Sequence, residues 1–286
     1  MRCGLFAIVI FFAALFQLQA SPVAPLELPF QYHDGLLWVQ VSVPQSAEPL
    51  NFLLDTGAGA SVINLNTANR IGLKPGTAIA VRGVQATLTG YRLESVSAKA
   101  GDVPLPASYL AVDLEKLGHA CNCCVDGLIG MDFFRNKIVQ IDFAAQKVRL
   151  LKSAAAEKSD DSLPVQFRPG GMCVPVRVNG HRNQWVRLDT GCASAFQWVT
   201  SQVRPEAAPR QTAIGLAAIS IPQTHTTVCL GTQKFYKVPT GLHDEPIFAG
   251  ESGLLGNGLL SQFSTVTIDA KSERVFLQKR SSSPTF

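Results

Sequence analysis

Apolar and polar residues follow the same order twice along this chain. Gly35-Leu36-Leu37-Trp38-Val39-Gln40-Val41-Ser42-Val43 alternates in the manner of a half-buried strand, and Gly171-Met172-Cys173-Val174-Pro175-Val176-Arg177-Val178 repeats the pattern. In each half a short polar turn follows, and then an apolar strand: Asn51-Phe52-Leu53-Leu54 in the first, Trp185-Val186-Arg187-Leu188 in the second. β-Branched segments broken by Gly and Pro come next. They lead to Gly127-Leu128-Ile129-Gly130 and Gly253-Leu254-Leu255-Gly256, each followed by a short predicted helix. A strand pair closes each half: Ile138–Phe143 with Val148–Leu151, and Thr265–Asp269 with Arg274–Leu277. Helical periodicity is scarce elsewhere, so the pattern predicts a mostly β chain. A repeat this long predicts two related lobes rather than a solenoid.

The stretch 153–163 is small and polar, as an interlobe linker is. The boundaries that follow are 1–20 for a leader, 21–152 for the first lobe, 153–163 for the linker, 164–280 for the second lobe and 281–286 for a frayed tail. The leader has the layout of a secretory signal peptide. Arg2 supplies the positive start, Leu5–Phe16 the apolar stretch, and Leu18-Gln19-Ala20 the small residue at the cleavage point. The apolar stretch is short of the about 20 residues that a bilayer span needs. The expected location is therefore exported, periplasmic or secreted, with no stable membrane insertion once the signal is removed.

Composition narrows the function classes. The chain of 286 residues is 47% hydrophobic and only 16% charged, enough apolar material for packed cores and too little charge for a disordered chain. The net charge of +4 falls by one when Arg2 leaves, and the basic residues are scattered. No nucleic-acid partner is expected. Of seven cysteines, Cys3 leaves with the signal; Cys121, Cys123, Cys124, Cys173, Cys192 and Cys229 remain. An even count in an exported chain predicts disulfides, with the pairing open. The Cys121-Asn122-Cys123-Cys124 cluster matches no common zinc spacing, and no histidine is arranged to complete it. Gly57-Ala58-Gly59-Ala60-Ser61-Val62 lacks the third glycine of a dinucleotide loop, and Gly250-Glu251-Ser252-Gly253-Leu254 lacks the glycine placement of a nucleophile elbow.

The chemistry-bearing feature is Asp-Thr-Gly, which ends the apolar strand in both halves: Asp55-Thr56-Gly57 and Asp189-Thr190-Gly191. One such Asp is ordinarily a turn residue bonded to backbone amides. Two in the same frame predict a chain that brings two carboxyls face to face. A pair sharing one proton can activate water, because two close carboxyls do not both ionise readily. Asp132, Asp142 and Asp269 are expected to be solvated turn or strand residues outside that pair.

These residues resemble the aspartic proteases. The layout is that of the two-lobed pepsin-like branch. Asp55-Thr56-Gly57-Ala58 and Gly127-Leu128-Ile129-Gly130-Met131-Asp132-Phe133-Phe134 look more like the retropepsin-like branch. The resemblance covers roughly residues 30–280 and rests on four ordered signals. It implies the bilobal acid-protease fold: two β-barrel-like lobes, a cleft between them, and Asp55 and Asp189 as a catalytic dyad. It implies that Gly57 and Gly191 let the loops bend and that Thr56 and Thr190 cross-link them. Gly130 and Gly256 belong to segments that brace the loops. A β-hairpin flap is implied over Val81–Leu93, with Gly83 and Gly90 permitting a mobile turn and Tyr91 touching substrate. Ala58 and Cys192 stand where pepsin-like enzymes place Ser or Thr. Ala58 is usual for the retroviral type, and Cys192 fits either as a small apolar residue or as half of a disulfide.

The function implied is an exported aspartic endopeptidase, monomeric, acting on a peptide or protein substrate without metal or organic cofactor. The few residues between Ala20 and the first strand near Phe30 leave no room for a long masking prosegment. The alternative is a non-catalytic protein that keeps the fold and binds a peptide or partner.

Overall fold

A computed structural model describes residues 25–83, 86–154, 161–214 and 217–280; the predicted leader and tail lie outside the described residues. The repeated apolar segments are strands buried on both faces. In Leu36–Val41, the side chains of Leu37, Val39 and Val41 enter the main core, while Leu36 and Trp38 enter a second apolar layer on the opposite face. This explains why Leu36-Leu37-Trp38-Val39 is nearly continuous in its apolarity: a strand with apolar layers above and below has no solvent face to alternate with. The second layer includes Leu53, Val112, Leu117 and Leu128, and the helix Glu115–Cys121 closes it.

The duplication read from the sequence is reproduced strand for strand. Among the described residues, the first-lobe sheet runs in the order Gln31–His33, Leu36–Val41, Leu50–Leu54, Gly127–Ile129, Val62–Asn64, Tyr109–Val112, Ala86–Leu93, Ala78–Gly83. The second runs Gln166–Arg168, Gly171–Val178, Gln184–Asp189, Gly253–Gly256, Phe196–Val199, Gln233–His243, Ala217–Leu230, Ala207–Ile214. The third and fourth strands of each list position the site. Leu50–Leu54 lies parallel to Gly127–Ile129, with Leu54 opposite Ile129. Gln184–Asp189 lies parallel to Gly253–Gly256, with Leu188 opposite Leu255. The fold is the mostly β, two-lobed architecture of the aspartic proteases.

A third sheet of six strands is shared by the lobes: Leu26–Pro29, Lys147–Leu151 and Ile138–Asp142 from the first, then Phe263–Asp269, Arg274–Lys279 and Asp161–Pro164 from the second. At its centre Val139 faces Ile268 and Ile141 faces Val266 across an antiparallel pair. All four side chains are fully buried. Burying each stabilises by roughly 1.5–3 kcal/mol, so the seam between lobes is itself core. The sheet also shows where the repeat begins. Asp161–Pro164, expected to close the linker, is a strand paired with Arg274–Lys279 and stands where Leu26–Pro29 stands in the other half. A small polar composition reads as linker even when backbone pairing makes it an edge strand.

The predicted disulfides are corrected by the structure: Cys121, Cys123, Cys124, Cys173, Cys192 and Cys229 are all free thiols. Cys173 lies on an inner strand of the second lobe, Cys229 on another strand, and Cys192 in a small apolar cluster with Ile221 and Leu254. Burial pushes the thiols of Cys173 and Cys192 up to about 12, so each packs as a small neutral hydrophobe.

Candidate active site

Each Asp-Thr-Gly begins where its strand ends, and the strand pairing carries both loops to one point between the lobes. Asp55 N–H donates to Ile129 O at 2.9 Å, which fixes the first loop on the Gly127–Gly130 segment. Asp189 lies opposite Gly256 in the second lobe. The loops then interlock. Thr56 Oγ1 donates to Leu188 O at 2.8 Å and accepts from Thr190 N–H at 3.0 Å. Thr190 Oγ1 donates to Leu54 O at 2.7 Å and accepts from Thr56 N–H at 3.0 Å. Both threonines are completely buried. Each hydroxyl therefore satisfies one donor and one acceptor of the opposite lobe, in a place where water cannot substitute.

The glycines follow from the same close approach. A Cβ on Gly57 would stand 2.5 Å from Asp189 Oδ1, and one on Gly191 would stand 2.5 Å from the Asp55 carboxyl. Each loop thus lays a bare backbone against the other loop's carboxylate. Gly130 and Gly256 are just as constrained, since side chains there would strike the backbone of Ala60 and of Ser194.

The carboxyls of Asp55 and Asp189 are hydrogen-bonded to each other and only 8% and 6% exposed. Their surroundings differ. Asp55 Oδ1 accepts N–H donors from Gly57 at 2.8 Å and Ala58 at 3.1 Å, whereas Asp189 Oδ1 accepts one among the described residues, from Gly191 at 2.9 Å. Burial pushes both above the ordinary aspartate range. In Asp55 the two amides, the Asp189 hydrogen bond and Arg187 oppose that push. In Asp189 the charge of Asp55 adds to it, so this carboxyl stands well above the usual range. Two carboxyls this close do not both ionise readily, and the one with fewer donors is pushed further up.

Above the dyad lies a cleft of about 720 Å³. Leu53, Val62, Leu110 and Leu128 wall it on the first-lobe side, and Arg187, Glu251, Ile247 and Phe248 on the other. The hairpin Ala78–Gly83 with Ala86–Leu93 borders it through Ile79, Val81 and Gly83; the stretch expected as a flap, Val81–Leu93, covers its second strand. Its turn, residues 84–85, lies outside the described residues. Two flap assignments need correction. Gly90 pairs with Ile79 at the hairpin's base, and a Cβ there would meet Val81 Cγ2 at 2.6 Å; close packing, not mobility, selects glycine. Tyr91 pairs with Ala78 and Ala111 and packs on the main core, away from the cleft walls.

Several site residues were not anticipated. Asp132 is no solvated turn residue: it accepts from Ser61 Oγ at 2.7 Å and Ser61 N–H at 2.9 Å, and Ser61 Oγ accepts from Gly130 N–H at 3.1 Å. Asp142 accepts from Arg149 at 2.5 Å and Asp269 caps the turn at Lys271 and Ser272, both remote from the dyad. Asn257 Nδ2 donates to Thr190 O at 2.7 Å and to Gly35 O at 2.8 Å, joining the second Asp-Thr-Gly loop to a first-lobe hairpin. Arg187 and Glu251 form a buried ion pair beside the dyad, 2% and 3% exposed in their side chains. A charge inside the strand before Asp189, where the first half has Leu53, was the available signal.

Residues 39–133 match the family model described as aspartyl protease. The match runs from within the strand Leu36–Val41, through Asp55 and Gly130, to the helix Met131–Phe134, and ends before the second lobe. None of the curated proteins compared with the chain matches it.

Proposed function

We propose that the chain is an exported aspartic endopeptidase that hydrolyses peptide bonds by activating water on Asp55 and Asp189. One observation carries the reading: two buried carboxyls, brought together by reciprocal threonine bonds, stand side by side in unequal surroundings. That inequality assigns the roles. The Asp55 carboxylate, steadied by two amides, takes a proton from water as its oxygen attacks the scissile carbonyl carbon. Asp189 gives its proton to the carbonyl oxygen, producing a neutral tetrahedral diol. Collapse of the diol breaks the C–N bond. The amide nitrogen leaves with the proton held by Asp55, and a diol hydroxyl returns a proton to Asp189. A dyad sharing one proton is a general pattern for these enzymes; the assignment to Asp55 and Asp189 rests on their own partners. Export rests on the N-terminal sequence pattern.

The test is cleavage of a diverse peptide library between about pH 3 and pH 8, the span over which carboxyls and histidines titrate. Asp55→Asn and Asp189→Asn run beside the wild type. The wild type is expected to cut and both variants to be inactive while folded. Statine-type mimics, whose hydroxyl takes the place of the attacking water, are expected to inhibit. Substantial cutting by either variant would remove the dyad from the mechanism. Folded wild type that cuts nothing across the range would support the alternative of a peptide-binding protein.

A further inference from the structure

Arg187 is a buried cation whose hydrogen-bond donors are all used within the protein. Nε donates to Glu251 Oε2 at 2.8 Å and Nη2 to Glu251 Oε1 at 2.6 Å, a two-point fork. Nη1 donates to Gly57 O at 2.9 Å and Gly170 O at 2.6 Å, and Nη2 reaches Pro169 O at 3.5 Å. The guanidinium also lies on the Phe248 ring, 3.6 Å from its centroid. Three separate segments meet on this one side chain: Gly57, Pro169-Gly170 and the turn Phe248–Glu251. One of them, at Gly57, is the first lobe's catalytic loop, and its N–H donates to Asp55.

The place is asymmetric. In the paired strands Arg187 stands opposite Leu254, as Leu53 stands opposite Leu128 in the other half. Leu53 needs nothing but apolar neighbours. A buried ion pair gives little net stability over a well-packed apolar pair, so stability is a poor reason for its presence. A spent donor set also rules out binding substrate through the guanidinium. What remains is its hold on the Gly57 carbonyl from across the lobe interface and its charge beside the dyad.

We infer that Arg187, fixed by Glu251, is a positioning residue: it clamps the Asp55 loop from the second lobe and sets a positive charge beside the dyad. This rests on the dyad reading above. The charged and titratable groups around the dyad are Arg187, its partner Glu251, the neutral Cys192 thiol and, on the hairpin that borders the cleft, Arg82; Arg187 is the cation whose charge acts on both carboxyls.

Two variants separate the clamp from the charge. Arg187→Lys keeps a cation but loses the planar fork. The double variant Arg187→Met with Glu251→Gln removes both charges together and avoids stranding a buried carboxylate. Both are expected to lose kcat by about 10- to 100-fold with KM little changed, the scale of a sub-ångström to ångström misplacement at the reacting groups. The acidic limb of the pH profile should stay in place for Arg187→Lys and move to higher pH for the double variant. Faster hydrogen exchange at the Gly57 and Ala58 amides is expected in both, and it is read without turnover. Folded variants with wild-type exchange at those amides overturn the inference, as does unchanged kcat in a wild type that cuts. A wild type that cuts nothing counts against the protease reading alone, since exchange still decides the clamp.

Discussion

Replacing Thr190 by valine deletes one hydroxyl and keeps the shape of the side chain. Two backbone groups then lose their partners: Thr56 N–H, which donated at 3.0 Å, and Leu54 C=O, which accepted at 2.7 Å. Both lie at a site with no solvent exposure, so water does not replace the hydroxyl. Leaving a buried polar group unsatisfied costs about 1–3 kcal/mol, hence about 2–6 kcal/mol for the pair. That is a large share of the roughly 5–15 kcal/mol by which a folded domain is stable. Thr190→Ser is the control: it keeps both bonds and loses one methyl, worth roughly 1 kcal/mol. Thr56→Val strands the same inventory in mirror image, Thr190 N–H and Leu188 C=O, and should cost as much as Thr190→Val. Urea unfolding reads all three, with a lower midpoint and an unchanged slope for the valine variants. Because Leu54 directly precedes Asp55, kcat should fall alongside stability. Valine variants no less stable than Thr190→Ser would refute the interlock as the device that joins the lobes.

The same close approach makes Gly191→Ala informative. Its methyl would lie 2.5 Å from the Asp55 carboxyl, so the variant should fold yet lose about 100-fold or more in kcat in the peptide assay. The dyad also predicts a stability profile. Asp189 has a folded pKa above its unfolded one, so the folded state binds the extra proton, and stability falls as pH rises from the ordinary aspartate range through the raised value. Asp189→Asn should therefore melt higher than the wild type at neutral pH, with the gap closing towards pH 3; a gap constant with pH would contradict the shared proton.

How much of this was legible in the chain depends on the range of the interaction. Local patterns carried far. The strands before each Asp-Thr-Gly, the Gly-aliphatic-aliphatic-Gly segments and the short helices at Met131–Phe134 and Asn257–Leu260 all follow from apolar runs and glycine placement. What failed were readings in which composition stood in for pairing. The linker ending at residue 163 hid an edge strand, although Leu163-Pro164-Val165-Gln166 echoes Leu28-Pro29-Phe30-Gln31 and marks the true start of the repeat. Tyr91 was assigned by its aromatic character, yet the register puts it at the foot of its hairpin. An even cysteine count predicted disulfides, and a count holds no information on which thiols meet.

The least legible features are those where the two halves differ. A perfect duplication would give two carboxyls in identical surroundings, with no reason for the proton to rest on either. The backbone is duplicated strand for strand, so the asymmetry must come from side chains and their partners. Ala58 N–H donates to the Asp55 carboxylate, while Cys192 N–H bonds only the Asp189 backbone carbonyl. Arg187 occupies Leu53's place, and Asn257, on the residue after Gly256, bonds across the lobes where Met131, after Gly130, packs into core. Each contrast is a pair of residues at matching positions, visible once the halves are laid over one another. None is visible in a search for repeated motifs, which selects what the halves share. The shared residues build a frame that brings two carboxyls together; the unshared ones give each carboxyl different surroundings.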